Sequence, residues 1–380
     1  MKKERLYFLD NLKIFLVLLV VVHHVGQPYG GSNGFWYYVS NDHLNLGRFF
    51  SVNAGFFMSL FFLISAYFVP SSFERKGPKN FLKDRFIRLG IPLIFGFFVI
   101  MPILLYFYYI NFRDYGKMSF FDYFFSVYLG FDGEPKDWTG PSWPDMQFGH
   151  MWFIEHLLVY GLLYSLFTYT CKGKESFKFL ENISNWKLFI VMIFVAALTF
   201  IVRIQYPIDR WEGLLGFIQI EYAHFPQYAS FFFLGILAFR YRWFDKLSPK
   251  IGITWLIIGV LLALTRYCTN IIPRSEGGFN AINAIYSIYE TLLCFGLGFG
   301  LLYLFKTVFN KTNTFLNTLA ENSFAVYIFH FPMAVLMHYA FTDLSVIPVI
   351  KFILASITTI VATFLFSIII RRISFVRRII

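Results

Sequence analysis

The sequence predicts an all-α, polytopic integral membrane protein, and two features of its composition support this prediction. The chain of 380 residues is 57% hydrophobic and only 14% charged, whereas soluble domains contain about 25% charged residues. Apolar runs of about 20 residues, the length that a helix needs to cross a hydrocarbon core of about 30 Å, recur along nearly the whole sequence. A soluble globular protein is therefore excluded.

Ten apolar runs are long enough to cross a bilayer, and they leave no stretch for a separate soluble domain. We therefore expect one membrane domain over residues 1–380. The first run has no small-residue cleavage site after it, so we interpret it as a retained helix and not as a signal peptide. The predicted spans are 8–27, 49–69, 89–110, 150–170, 187–205, 226–240, 252–270, 283–305, 323–341 and 347–370.

The basic residues predict the orientation of the chain, because cytoplasmic loops retain Lys and Arg during insertion. If the N-terminus is cytoplasmic, the inner segments hold 24 of the 33 Lys and Arg residues. The bias returns at every second crossing, which places both termini in the cytoplasm. The same bias explains the net charge of +11, so no nucleic-acid partner is expected.

Cysteine and glycine residues give weaker signals. Cys171, Cys268 and Cys294 are too few and too scattered for a disulfide framework or a zinc site. No metal-binding histidine pair is recognisable either, so no metal is expected. Gly296 and Gly300 form a GxxxG motif in the eighth span, which favours close packing against another helix.

Lys13 and His24 define one face of the first span. They lie eleven residues apart, so on an α-helix they point within about 20° of each other, with an axial separation of about 16 Å. Ionisable groups inside a membrane usually have a function. The alternatives are that His23 and His24 cap carbonyl groups where the span ends, and that Lys13 is a snorkelling inner lysine.

Arg85 and Arg88 lie in the segment RFIRLGIP, which precedes the third span. Their spacing of three residues directs both guanidinium groups to one side of a helix, where they could bind phosphates. The alternative is ordinary flanking charge at the inner surface. Together with the first span, this pair fits a ligand that is anionic at one end and carries a reactive group on a long arm. Acyl-CoA has that shape, so acyl transfer with His24 as base or acyl carrier is the leading hypothesis.

The chain resembles acyltransferase family 3, the integral membrane O-acyltransferases, and within it the branch of glucan-modifying succinyltransferases. KIFLVLLVVVHH is similar to the family motif of an arginine, ten residues and a histidine. Here Lys13 replaces the arginine, which keeps the charge but loses the bidentate fork, and His24 is in register. RFIRLGIP resembles the R-x-x-R motif of the family through Arg85 and Arg88.

Two further stretches resemble the family more loosely. HMWFIEHLLVY, with Trp152 and Glu155, is similar to a tryptophan-containing stretch that opens the fourth span. ENSFAVYIFHFP is similar to a C-terminal helix with a pattern of serine, tyrosine and histidine, through Ser323, Tyr327 and His330.

The resemblance implies a membrane acyltransferase, in the bacterial cytoplasmic membrane, that acts on a cell-surface or exported glycan or a similar hydroxyl-bearing acceptor. The acyl group, acetyl or succinyl, would come from cytoplasmic acyl-CoA. His24 would be catalytic, and Lys13, Arg85 and Arg88 would bind the phosphates of the donor. The sequence leaves the oligomeric state open.

Several other polar residues in the spans allow two interpretations. Glu155 could orient an imidazolium or accept a proton from the acceptor, or it could be a packing partner of His156 or Arg203. His330 precedes Pro332 by two residues, which favours a ring that caps a carbonyl freed by the proline. Glu290 and Arg266, in neighbouring spans, are expected to pair.

Aromatic residues cluster in the outer loops. They could stack on sugar rings, but an interfacial aromatic belt is the favoured interpretation, because such clusters are common in a chain that is 22% aromatic. The residues concerned are Trp36, Tyr37, Trp138 and Trp143.

Two other classes of function remain open from the residues alone. A proton-coupled transporter of an anionic solute would use His24, Glu155 and His330 as a proton relay, with the arginines as a gate. Such transporters are commonly built from repeats with paired broken helices, and no repeat is visible here. A non-catalytic scaffold subunit predicts that a change of His24 affects only stability.

Overall fold

The computed structural model describes residues 5–30, 36–113, 116–131, 148–170 and 178–380. Trp138, Trp143 and Cys171 lie outside these residues. The described chain is a bundle of helices with one small β-hairpin inserted between two of them. The prediction of an all-α membrane protein is confirmed.

The helices occur in two groups along the chain, separated by the hairpin. Those before it are α1 Tyr7–Gly26, α2 Gly47–Ala54, α3 Phe57–Tyr67, α4 Val69–Arg85, α5 Ile91–Phe95, α6 Met101–Phe112, α7 Phe120–Asp122, α8 Trp152–Thr170 and α9 Asn185–Arg203. The hairpin strands are β1 Trp211–Leu214 and β2 Ile218–Glu221. The later helices are α10 Phe225–Arg240, α11 Trp243–Lys246, α12 Pro249–Cys268, α13 Ala281–Val308, α14 Thr314–Ala340, α15 Pro348–Ile370 and α16 Ser374–Ile379.

Helices occupy all ten predicted spans. Within the described residues, nine helical segments are long and apolar enough to cross a membrane. The one predicted span that is not among them is 226–240, which corresponds to α10; this helix has 16 residues and is therefore only about 24 Å long. It packs closely along α3. At Gly235 the two helices approach so closely that a Cβ atom on this residue would collide with the carbonyl group of Leu63.

The segment expected to be an inner loop between the second and third spans is mostly helical. α4 bends where Gly77 takes a positive φ of 72°, and Pro78 follows it. Glycine adopts this backbone conformation at little cost, and proline suits the first turn of the helix that resumes. Two π-helical segments, Phe86–Gly90 and Gly96–Ile100, then carry the chain through α5 into α6. The segment 69–112 is therefore helical on both sides of the kink at Gly77.

The glycine motif of the eighth span packs against α12, as predicted. A Cβ on Gly296 would lie 2.6 Å from the Cα of Gly259, and one on Gly300 would lie 2.5 Å from the Cα of Leu256. Such distances are far inside van der Waals contact. Only residues without a side chain allow the two backbones to approach so closely.

The hairpin between α9 and α10 was not predicted from the sequence. Its strands are antiparallel, with Trp211 opposite Glu221 and Leu214 opposite Ile218. The connecting turn contains Leu215 and Gly216, both with positive φ. The hairpin lies at the end of the bundle where α1, α9 and α12 end and where α2, α10 and α13 begin. According to the predicted orientation, this is the outer end.

Candidate active site

A pair of histidines joins the first helix to α14. The Nδ1 atom of His24 lies 2.8 Å from the Nε2 atom of His330. The two rings are stacked, with centroids 5.0 Å apart and an interplanar angle of 22°. The contact connects residues 306 positions apart in the sequence, so it depends on the packing of α1 against α14.

The hydrogen bonds define which nitrogen of each neutral ring carries the proton. The Nδ1 atom of His330 lies 2.7 Å from the carbonyl oxygen of Tyr327. A carbonyl only accepts, so His330 carries its proton on Nδ1 and its Nε2 is the acceptor. His24 must then donate from Nδ1, which leaves its Nε2 with a lone pair. No hydrogen-bond partner of that Nε2 is found among the described residues.

Aromatic rings surround the histidine pair. Trp36 stacks on His24 at 5.8 Å and 17°, and Phe331 meets the same ring edge-on at 5.0 Å. Trp36 thus packs on the histidine, whereas the sequence favoured an interfacial aromatic belt over a sugar ring as its surroundings. Its indole N–H is buried and has no acceptor among the described residues. The rings hold His24 in one orientation.

His150 extends the cluster from the start of the fourth span. Its Nε2 donates to the carbonyl of Ile328 at 2.9 Å, and its ring stacks on Phe331 at 4.3 Å. The backbone carbonyl of His150 accepts a hydrogen bond from Tyr327. Its Nδ1 is buried and has no partner in the part of the chain that the structure describes. This is a second imidazole with an unused lone pair near His24.

A cavity of about 560 Å³ lies beside these residues. One wall is formed by neutral and aromatic groups that include His23, His24, Trp36, Tyr37 and His150. The other wall carries charged groups from the hairpin and the neighbouring helices. Its ionisable residues are Asp209, Glu221, His224, Arg274 and Glu290.

The charged residues of this wall belong to a network of buried ion pairs. Arg203, at the end of α9, is fully buried and pairs with Glu290 of α13. Its Nε donates to the carbonyl of Ala223 at 3.1 Å. The other carboxylate oxygen of Glu290 lies 3.2 Å from Nε2 of His224. The expected pair of Glu290 with Arg266 is wrong, because Arg203 from α9 occupies that carboxylate.

The network continues from His224 to the hairpin. Nδ1 of His224 lies 2.7 Å from Oε2 of Glu221, and the other oxygen of Glu221 accepts the backbone N–H of Asp209 at 2.9 Å. Asp209 in turn pairs with Arg274. Each buried charge therefore has a partner of opposite sign, which offsets much of the desolvation cost.

The hairpin end of this network is strongly ionised. Burial lowers the pKa of His224, but the carboxylates of Glu221 and Glu290 outweigh this effect and raise it to about 10. Burial raises the pKa of Glu221, but the adjacent imidazolium of His224 holds it below its usual range. His224 is therefore a cation at neutral pH.

These two pKa shifts predict how the stability of the fold depends on pH. The stabilisation by charged His224 is fully present below its usual pKa of 6.5 and is lost as the pH rises towards 10. The contribution of Glu221 is complete above its usual pKa of 4.5 and is lost at lower pH. We expect the unfolding temperature in detergent to fall steadily between about pH 7 and pH 10. His224→Gln should flatten this alkaline slope, and an unchanged slope would contradict the assignment.

Glu155 lies in a structural contact of the fourth span. Its Oε2 accepts the backbone N–H of Gln219 at 3.0 Å. The next residue, His156, donates from Nε2 to the carbonyl of the same Gln219 at 3.0 Å. The two side chains thus hold both backbone polar groups of one residue in β2. Neither Arg203 nor His24 is the hydrogen-bond partner of Glu155.

The three cations expected to bind a donor lie away from the cavity. Lys13 pairs with Asp10 at 2.8 Å, and its Nζ is 5.8 Å from the ring of Phe68. Arg88 is exposed and lies 3.4 Å from Asp84. None of the three is among the residues that line the histidine cavity.

Arg85 differs from the other two cations. Its guanidinium lies over the ring of Phe81 at 5.0 Å, and its stem faces Gly161 of α8. Its Nε is buried without a hydrogen-bond partner among the described residues. A buried cationic donor of this kind suits an anionic ligand.

Comparison with known proteins identifies the family. Residues 6–372 match the model of the acyltransferase 3 family, which is described as an acyltransferase domain. The chain belongs to the acyltransferase 3 family. The match covers nearly the whole chain. Together with the nine candidate spans among the described residues, it identifies a multi-pass membrane acyltransferase.

Similar proteins include several that are named glucans biosynthesis protein C. That of Shigella dysenteriae serotype 1 is 27% identical over 287 residues, which are 70% of this acyltransferase and 66% of that protein. That of Salmonella schwarzengrund is 25% identical over 351 residues, which are 87% of this chain and 82% of that protein. That of Escherichia coli O9:H4 is 26% identical over 287 residues, with 70% and 66% covered. The chain thus spans just under two thirds of two of these relatives.

Sequence reasoning about this acyltransferase missed several residues of the site. His150 opens the stretch HMWFIEHLLVY, but nothing in that pattern indicates that its ring meets His330 and Phe331. Glu221 and His224 lie in a connection with no recognised pattern, and only their spacing of three residues was a signal. Within the described residues, no group of His, Cys, Asp and Glu is arranged to hold a metal ion.

Proposed function

We propose that this acyltransferase transfers an acyl group from acyl-CoA to a hydroxyl group of a glycan. The observation that carries this proposal is the lone pair on Nε2 of His24, beside a cavity and backed by the hydrogen bond to His330. A neutral imidazole in this state is suited to take a proton from a hydroxyl group. The hydroxyl of the acceptor would enter from the cavity.

The reaction can be written with balanced atoms. Nε2 of His24 takes the hydroxyl proton, the hydroxyl oxygen attacks the thioester carbonyl, and a carbon–oxygen bond forms. The carbon–sulfur bond then breaks, and the departing CoA thiolate takes the proton from the imidazolium. His330 accepts the Nδ1–H of His24 throughout and stabilises the charge that forms on its ring. The indole N–H of Trp36 is available for the oxygen of the tetrahedral intermediate.

The donor would bind from the cytoplasmic end. Lys13 is on the same continuous helix as His24, about 16 Å away along the axis. Arg85 offers a buried donor without a partner, and Arg88 is exposed nearby on the same helical segment. A ligand with phosphates at this end and an acyl thioester at the other would span the two regions.

The acceptor side is supported by the chemistry of the cavity and by the relatives. Carboxylates and tryptophan rings together suit sugar hydroxyl groups and sugar faces. The relatives are named for glucan biosynthesis, so a glucan is the acceptor that we propose, with an acetyl or a succinyl group as the acyl group. The site would face the outside of a bacterial cytoplasmic membrane. Glu155 would act as a positioning residue that holds β2.

The proposal is tested by transfer of a labelled acyl group. The purified protein in proteoliposomes is supplied with labelled acetyl-CoA or succinyl-CoA and a linear glucan. We expect alkali-labile label on the glucan and release of CoA. A protein that binds no acyl-CoA and consumes no thioester would overturn the proposal.

The donor site makes a separate prediction. Arg85→Gln should raise the KM for acyl-CoA about 10-fold or more, because a charged hydrogen-bond donor to phosphate is worth about 1.5–3 kcal/mol. The KM for the glucan should not change. Lys79→Gln is the matched control, since Lys79 is exposed on the same helix. Equal effects of the two changes would argue against a phosphate site at Arg85.

A further inference from the structure

A second cavity lies at the same end of the bundle as the histidine cavity. Its volume is about 790 Å³, larger than that of the first. Its walls come from the turn after α1, the segment that leads to α2, and the connection between α14 and α15. The lining includes Tyr29, Tyr38, Asn41, Asp42, His338 and Lys351.

Two side-chain contacts hold the walls of this second cavity together. The hydroxyl of Tyr38 lies 3.0 Å from Oγ1 of Thr342. Nζ of Lys351 lies 2.8 Å from a carboxylate oxygen of Asp42. Both contacts join the segment before α2 to the end of α14 or the start of α15. The cavity is therefore formed before any ligand arrives.

A buried polar atom in the wall lacks a partner. His338 is only 3% exposed, and its Nε2 has no hydrogen-bond partner among the described residues. Its ring is stacked with Tyr38 at 5.4 Å and 19°. An unsatisfied buried nitrogen destabilises the fold, and a ligand hydroxyl group would relieve that cost.

The two cavities are lined by neighbouring residues of the same segments. Trp36 and Tyr37 line the histidine cavity, whereas Tyr38, Ser40, Asn41 and Asp42 line the second. The turn after α1 is divided in the same way, with Gln27 in the first lining and Tyr29 in the second. A ligand longer than one sugar ring could therefore occupy both cavities at once.

We propose that the second cavity is a remote binding site for another sugar residue of the same acceptor chain. This inference rests on the proposed function. Hydroxyl, amide and carboxylate groups beside aromatic rings suit a neutral sugar. Asp42 and Lys351 neutralise each other and Asp343 adds a further acidic group, so the wall does not select a phosphorylated ligand. Binding energy from this remote site would serve to align the reacting hydroxyl group at His24.

The test compares glucan chains of different length. Calorimetry with the wild-type protein and a series of linear glucans, from a disaccharide upwards, measures affinity without any turnover. We expect affinity to rise at least 10-fold once the chain is long enough to reach the second cavity, and we expect the KM for transfer to fall in parallel.

Two variants localise the gain. His338→Phe keeps an aromatic ring and removes both nitrogens, the unpartnered Nε2 and the one that bonds the backbone of Val25. Asn41→Ala changes an exposed lining residue. Each should weaken binding of long chains about 5-fold or more and leave the disaccharide unaffected. Val39→Ser is the control, since Val39 is exposed and is not part of the lining.

The outcomes separate this inference from the proposed function. Affinity that is independent of chain length, or variants that weaken short and long chains equally, would overturn the second site. Length-dependent binding that His338→Phe abolishes would support it, even if no acyl group is transferred. Absence of transfer with such binding intact would count against the proposed function alone.

Discussion

His24→Ala should lower the kcat of acyl transfer by about 10²–10⁴-fold, the range expected for loss of a general base. The change removes the nitrogen that takes the hydroxyl proton, and it also leaves Nε2 of His330 without its donor. The KM for acyl-CoA should change little, because the donor phosphates bind elsewhere. Steady-state transfer of a labelled acyl group to glucan measures both parameters.

The neighbouring histidine supplies the control for this prediction. His23 also lines the cavity, but its ring packs against Phe50 at 4.8 Å and Phe57 at 5.1 Å. It makes no hydrogen bond to His330. His23→Ala should therefore reduce kcat far less than His24→Ala. If the two variants lose activity equally, the loss reflects packing and not base catalysis.

Glu290→Gln should destabilise the fold by about 3–5 kcal/mol, the cost of breaking a buried ion pair by removing one partner. Arg203 is fully buried and would lose its carboxylate. His224 would keep only Glu221 as a counter-charge. The free energy of unfolding in detergent, measured with denaturant, gives the magnitude.

A surface ion pair provides the comparison for that measurement. Glu212 pairs with Arg210 at 2.9 Å, but the side chains are 32% and 56% exposed, respectively. Glu212→Gln should cost about 0–1 kcal/mol. The double variant Arg203→Met, Glu290→Leu should recover part of the loss, since it leaves fewer unpaired buried charges. A cost for Glu290→Gln as small as that for Glu212→Gln would contradict the ion network.

The sequence predicted the membrane helices well, because hydrophobic length is a direct physical requirement for crossing a bilayer. The prediction failed in segments that do not cross the membrane, because hydrophobic length does not constrain them. Polar residues between the second and third spans suggested a loop, yet two helices follow each other there and meet at a kink at Gly77. The hairpin has strands of four residues each, too short for a periodic pattern to reveal.

The candidate site was only half predictable for a related reason. Spacing along one helix related Lys13 to His24, because helical geometry is known in advance. The partner of His24 comes from α14, and no local sequence pattern indicates how α14 packs against α1. Glu290 was paired with Arg266 because their spans are consecutive, whereas the fold brings Arg203 to it across 87 residues.

Chemical rescue of His24→Ala tests most directly whether His24 is the base. The missing ring leaves space beside a cavity of about 560 Å³, into which free imidazoles can diffuse. The rate of acyl transfer by the variant should rise with imidazole concentration and, across a series of substituted imidazoles, with their basicity. A His24→Ala protein that transfers acyl groups at the wild-type rate without any imidazole would contradict the assignment of His24 as the base.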